Sequence, residues 1–358
     1  MSSTPLSTAS IRSLNAKIRS SPLGNVDFCP LQASVTGSSL TIDKKTLKSG
    51  SEELVVGVLD GKGEMVYDFA RNKTAPLIKF RTPISHITGA YSFPPKLLAK
   101  WFDPTAAHDI TACLQLSPAG DPAEWHEIMD EIGPKLARKF ANAVREHGTC
   151  IPGDEKTNKR LQKKKESLKT EEKFSQWFET DMLGGDGTPH MSHYKGRILD
   201  PENAGFTFRS NLFKGAEKMT SSVYDDLLDG KLEEMREKVG KPCRFAPVPI
   251  YWHNKMVGPD EYDEVARRLK GSLAYAVIWI KLFANAKNRV LSLKCGIDKV
   301  VIAQLGDASG GGSDAVVNVA MDAEVEEEEG SKDVLNIFAD VSQDDDGAPS
   351  AKRVKTSE

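Results

Sequence analysis

Basic and aromatic side chains recur together along this 358-residue sequence, and the chemistry that suits the pairing is the holding of a single-stranded nucleic acid. Lysine and arginine neutralise phosphates along a groove, while aromatic faces stack on unpaired bases without regard to their order. The candidate positions lie on segments read as strands: Lys79 and Arg81; Lys195 and Arg197; Phe206, Phe208 and Arg209; Tyr251, Trp252 and Lys255; and Trp279, Lys281 and Lys294. Alone, a phenylalanine or tryptophan on a strand is ordinary core and a lysine is ordinary solvated surface. Weight comes only from their combination with a basic body and an acidic tail.

Catalytic patterns are absent. The sequence has no GxxxxGK[ST], GxSxG or HExxH, and no GxGxxG between a strand and a helix. Gly184-Gly185-Asp186-Gly187 and Gly310-Gly311-Gly312 read as loop and linker, because no helix start follows either. His190 and His193 form one close pair with no second pair at metal-ligand spacing, so no metal site and no cofactor is expected. Five scattered cysteines without a CxxC argue against a disulfide framework and for a reducing compartment. The expectation is a binding protein, not an enzyme.

Charge divides the chain. Residues 307–350 hold 13 acids and one lysine, and residues 351–358 add about +2, which leaves residues 1–306 near +7 behind an overall −3. Residues 1–24, Ser-rich with a few cations and no acids, read as a flexible basic arm. They resemble a transit peptide in composition but have no strong amphipathic arc. Residues 25–306 read as a β-rich body, and 307–358 as a disordered acidic tail whose low hydrophobicity cannot offset the entropy of ordering. No run of about 18 apolar residues is present, so no membrane span is expected.

Within the body, Leu54–Leu59 and Met65–Phe69 read as a hairpin around Asp60-Gly61-Lys62-Gly63. Leu77–Arg81 alternates, with Ile78 and Phe80 facing inward and Lys79 and Arg81 on a basic outer face. Helical insertions are expected over about 123–147, kinked or split in two at Gly133-Pro134, and over about 222–239. The lysine-rich run from Lys156 to Lys173 reads either as a solvated segment or as a flap that touches phosphate. Residues 271–305 carry the clearest pattern, a meander of three strands. On its first strand Ala276, Ile278, Ile280 and Leu282 form the core face, opposite Tyr275, Val277, Trp279, Lys281 and Phe283.

The tail divides further. Val334, Leu335, Ile337 and Phe338 make one apolar patch among acids, the form of a short docking motif for replication or recombination proteins. Lys352, Arg353 and Lys355, in Pro-Ser-Ala-Lys-Arg-Val-Lys at the exposed end, are similar to short basic nuclear import signals and give a nuclear expectation.

Together, Leu269-Lys270-Gly271-Ser272 through Trp279, Ser292-Leu293-Lys294 to Val300-Val301-Ile302, and the looser Glu172–Phe178 resemble the single-stranded DNA-binding proteins of large nucleocytoplasmic DNA viruses, themselves similar to the podophage-type replication protein. That resemblance spans about 70–320. It implies an α+β fold built on an oligonucleotide/oligosaccharide-binding β-barrel with helical insertions, and a groove near Trp279, Lys281 and Lys294. Single-stranded DNA is the partner expected, and the chain allows a homodimer. The rival readings are a structural or scaffold protein of virion type, whose aromatics are all core, and an RNA-binding or transcription cofactor.

Overall fold

The computed structural model describes residues 7–24, 26–46, 50, 52–66, 78–96, 111–147, 150–151, 155–183, 205–215, 223–228, 230–239, 243–285 and 290–306. Its strands are β1 (Ser39–Thr46), β2 (Glu52–Leu59), β3 (Ile78–Arg81), β4 (Ser85–Tyr91), β5 (Thr111–Pro118), β6 (Phe206–Asn211), β7 (Phe213–Gly215), β8 (Cys243–Phe245), β9 (Ile250–Trp252), β10 (Lys255–Met256), β11 (Leu273–Asn285) and β12 (Val290–Gln304). The helices are α1 (Thr8–Ser20), α2 (Pro30–Thr36), α3 (Pro122–Asp130), α4 (Pro134–His147), α5 (Glu155–Leu168), α6 (Glu171–Met182), α7 (Lys231–Val239) and α8 (Pro259–Arg267).

The strongest alternation in the sequence makes the two longest strands. β11 and β12 pair antiparallel from Leu273↔Gln304 to Asn285↔Val290. Where the sequence suggested a link between two strands, β12 runs unbroken through a bulge that leaves Asp298 as the extra residue beside Val277 and Ile278. The main sheet runs β10-β9-β12-β11-β4-β5-β6, and β3 also pairs with β11. β3 takes the Val277–Ile280 stretch of β11, and β4 takes Leu273 and Ala274. Leu54–Leu59 pairs with β1 in a separate ladder. On its other side Met65 bridges Leu59 antiparallel and the Val66 amide donates to the Val58 carbonyl at 2.9 Å, as the expected hairpin requires, while its remaining residues 67–69 lie outside the described residues.

Both faces of β11 are covered, by different material. Ala276, Ile278, Ile280 and Leu282 pack into the main core with Leu114, Phe206, Phe208 and the Leu136, Phe140 and Val144 stripe of α4. On the opposite face Leu273, Tyr275 and Val277 form a second core with Ile11, Leu14 and Ile18 of α1 and Leu31 next to it. Residues 7–24 therefore correct the flexible arm expected there. Ser7 caps α1 by accepting from the Ser10 amide at 3.2 Å, and three apolar side chains at i, i+3 and i+7 suffice to dock it.

The expected 123–147 helix is two, α3 and α4, separated at Gly133-Pro134, and Asp121 caps the first through the Ala123 amide at 2.9 Å. The lysine-rich run folds as α5 and is followed by α6, whose Phe174, Phe178 and Met182 enter the main core.

The fold is α+β. Its sheet is not closed by a backbone ladder among the described residues, so the expected barrel is not shown. The end strand β6 instead approaches β12, the third strand from the other end. The Ser210 hydroxyl of β6 accepts from the Ile297 amide at 2.6 Å and donates to the Ile297 carbonyl at 3.0 Å, so that this side chain helps to join β6 to β12. Among the described residues no helix is long and apolar enough to cross a membrane.

Candidate nucleic-acid interface

The outer face of β11 leaves the cover of α1 after Val277, and its next two residues on that face are Trp279 and Lys281. Register then fixes their neighbours. Trp279 lies opposite Lys79 of β3 on one side and Gly296 of β12 on the other. Lys281 lies opposite Lys294. Directly paired residues of an antiparallel sheet share a face, so Lys79, Trp279, Lys281 and Lys294 form one patch.

Gly296 is what lets the tryptophan sit there. A Cβ at that position would collide with the indole Cε2, Cζ2 and Nε1 atoms, so the half-buried ring of Trp279 rests on the bare backbone of β12. Lys79 is held beside it by a bridge to Asp298 at 3.1 Å, which the bulge of β12 presents. One step along, Lys299 sits over the ring of Tyr251 at 5.3 Å.

The lysine pair is electrostatically loaded. Burial lowers the pKa of Lys281, and Glu53 of β2 partly restores it. Burial also lowers that of Lys294, and repulsion from Lys281 lowers it further. Glu53 is raised by burial and pulled back by Lys281. Two cations facing each other across a ladder destabilise it unless an anion comes between them. Glu53 supplies a carboxylate to Lys281. A phosphate would supply a second anion.

Several other expected contacts are elsewhere. Arg81, expected on the outer basic face, is 1% exposed under the α1 layer. It donates to the Pro22 carbonyl at 3.0 Å and the Leu23 carbonyl at 3.4 Å and lies over Tyr275, so it fastens the N-terminal segment to the sheet. Phe208, expected as a stacking ring, is fully buried and stacks on Phe206 at 6.0 Å in the main core. Trp252 packs against that same core, and the parallel register of β9 on β12 gives the outer face to Tyr251. Lys255 is exposed after a two-residue turn in which His253 and Asn254 both have positive φ. Arg209 is exposed on the outer face of β6, and its amide donates to the Cys295 sulfur, whose thiol burial pushes up to about 12. Lys195, Arg197 and the whole of 307–358, with the docking patch and the basic end, lie outside the described residues.

The sequence reading missed Tyr91. It is 57% exposed, lies over Gly89, and shares a row with Cys113 and Arg209 across β4, β5 and β6. Arg209 stands two strands away in that row and Gly89 lies on Tyr91's own strand, whereas at Trp279 the lysine and the glycine are both directly paired across the ladder. The signal was present as Gly89-Ala90-Tyr91, but it lacks a cation nearby in sequence.

A cavity of about 510 Å³ lies between the ends of β1 and β2 and the α5–α6 pair. Its charges bridge internally, Lys44 to Glu52 at 3.0 Å and Lys165 to Glu171 at 3.3 Å. Among the described residues no group of three His, Cys, Asp or Glu side chains could hold a metal ion.

No family model and no curated protein matches the chain. Among solved structures it is similar to a single-stranded DNA-binding protein from bacteriophage Enc34 in complex with single-stranded DNA, at 11% identity and a TM-score of 0.32, covering 76% of this chain and 98% of that one. The same phage protein without DNA gives 9% identity and a TM-score of 0.30 over 82% of this chain and 98% of that one. Gp2.5, a single-stranded DNA-binding protein encoded by bacteriophage T7, gives 10% identity and a TM-score of 0.29, covering 66% of this chain and 97% of that one. Likeness at this level carries no functional weight.

Proposed function

We propose that this chain binds single-stranded DNA without sequence preference, in the service of replication or recombination. One observation carries the reading: Trp279 rests half-exposed on Gly296 between Lys79 and the facing lysines Lys281 and Lys294. Sequence-independent binding needs a ring on which a base can stack, with cations placed to take the flanking phosphates. A scaffold protein with all its aromatics in the core has no use for a tryptophan placed so.

In this reading the curled sheet, joined at Ser210 and Ile297, serves as the barrel of an oligonucleotide-binding fold, with kinship to the proteins of large nucleocytoplasmic DNA viruses. The acidic tail recruits partner proteins through Val334, Leu335, Ile337 and Phe338, and Lys352, Arg353 and Lys355 direct nuclear import. A fluorescent protein fused to residues 347–358 should accumulate in nuclei, and a diffuse signal would remove the import claim. For the binding claim, an anisotropy titration with labelled oligo-dT should show affinity that falls steeply with salt. An absence of binding at low salt, in both the full chain and a chain lacking 307–358, would refute it.

A further inference from the structure

The lysine-rich helix α5 has no part in the sheet patch, and its charges are sorted by face. At 100° per residue Lys156, Lys159, Arg160 and Lys163 stand at i, i+3, i+4 and i+7, one continuous stripe with no acid among them. Lys156, Lys159 and Lys163 are exposed. The opposite side does the packing: Leu161 is buried, and Asn158 donates to the Ile151 carbonyl at 2.8 Å and accepts from its amide at 2.9 Å. The two remaining lysines serve the hairpin itself, Lys164 over the Trp177 ring at 5.3 Å and Lys165 over Phe174 at 5.5 Å.

A merely solvated face is served as well by mixed signs, whereas these four positions are all cationic. Nor does the stripe include an aromatic ring. It can read charge and spacing but cannot stack on a base.

We infer that the outer stripe of α5 is a second nucleic-acid contact that takes the phosphate backbone alone, outside the Trp279 patch. This rests on the proposed function and deepens it. The sheet patch discriminates unpaired bases, whereas α5 supplies charge that a duplex satisfies equally well.

The test is a pair of full-length variants, Lys159→Ala with Lys163→Ala, and the same two positions changed to Arg. Alanine favours helix, so the fold is kept. Titrations with oligo-dT and with a blunt DNA duplex are run across a series of salt concentrations. The alanine variant should lose about 1.4 from the slope of log affinity against log salt for oligo-dT, two phosphate contacts at roughly 0.7 each. It should also lose duplex binding, keep the dependence of oligo-dT binding on Trp279, and be rescued by arginine. A wild-type slope in the alanine variant, with Trp279-dependent binding intact, would overturn the role of α5 and leave the proposed function standing. Failure of the wild-type chain to bind either DNA would overturn both.

Discussion

Lys281 and Lys294 face each other across β11 and β12, and burial lowers both below the ordinary lysine value of 10.5. In the folded chain each gives up its proton more readily than in the unfolded chain, which therefore binds more protons in the window between the lowered and the ordinary value. Stability from this pair accordingly rises with pH through that window. Binding behaves in the opposite sense. A phosphate between the amines favours their charged forms, so DNA binding should take up protons and weaken as pH rises through the lowered values. Affinity for oligo-dA, followed upward from about pH 7, should fall in the wild type as pH approaches the ordinary lysine value of 10.5. It should hold in a Lys281→Arg, Lys294→Arg variant, because guanidinium stays charged throughout. An equal fall in both would show that the lysine pair is not at the interface. Sequence showed Trp279 and Lys281 on one face of one strand. It could not show Lys79 beside Trp279, since that depends on the register of β3 against β11, far apart in the chain.

At the scale of elements, strong periodicity was legible and weak periodicity was not. The core face of β11 and the helices α3 and α4 follow from apolar spacing over many residues. Helix α1 has only Ile11, Leu14 and Ile18 among serines and cations, too little apolar surface to predict from, yet enough to dock on Tyr275 and Val277. That docking is also why Arg81 was misplaced: alternation puts it on the outer face of β3, and α1 then covers that face. Arg81→Ala should lower stability by about 2–4 kcal/mol, through lost hydrogen bonds to Pro22 and Leu23 and a cavity beneath the segment. Urea unfolding measures this. The folded fraction should bind oligo-dT as the wild type does, whereas lost affinity in the folded variant would return Arg81 to the interface. Phe208 was misread for a related reason. A strand of alternating phenylalanines has a core face and a solvent face, and only the register of β6 on β5, Phe208 opposite Leu114, says which is which.

For the whole molecule, the division of charge gives the account its shape, a body near +7 and a tail segment near −12. Acids tethered to a basic body compete with DNA phosphates for the same cations. Deleting 307–358 should therefore tighten binding at low salt, and the gain should shrink as salt screens the competition. Unchanged affinity at low salt would leave the tail to partner recruitment alone. The most direct test of the central claim is the affinity of full-length Trp279→Ala for oligo-dT, with circular dichroism and urea unfolding run on the same sample. A loss of about 1–3 kcal/mol of binding in a chain that unfolds like the wild type is the predicted result. Wild-type affinity in that folded variant would contradict it.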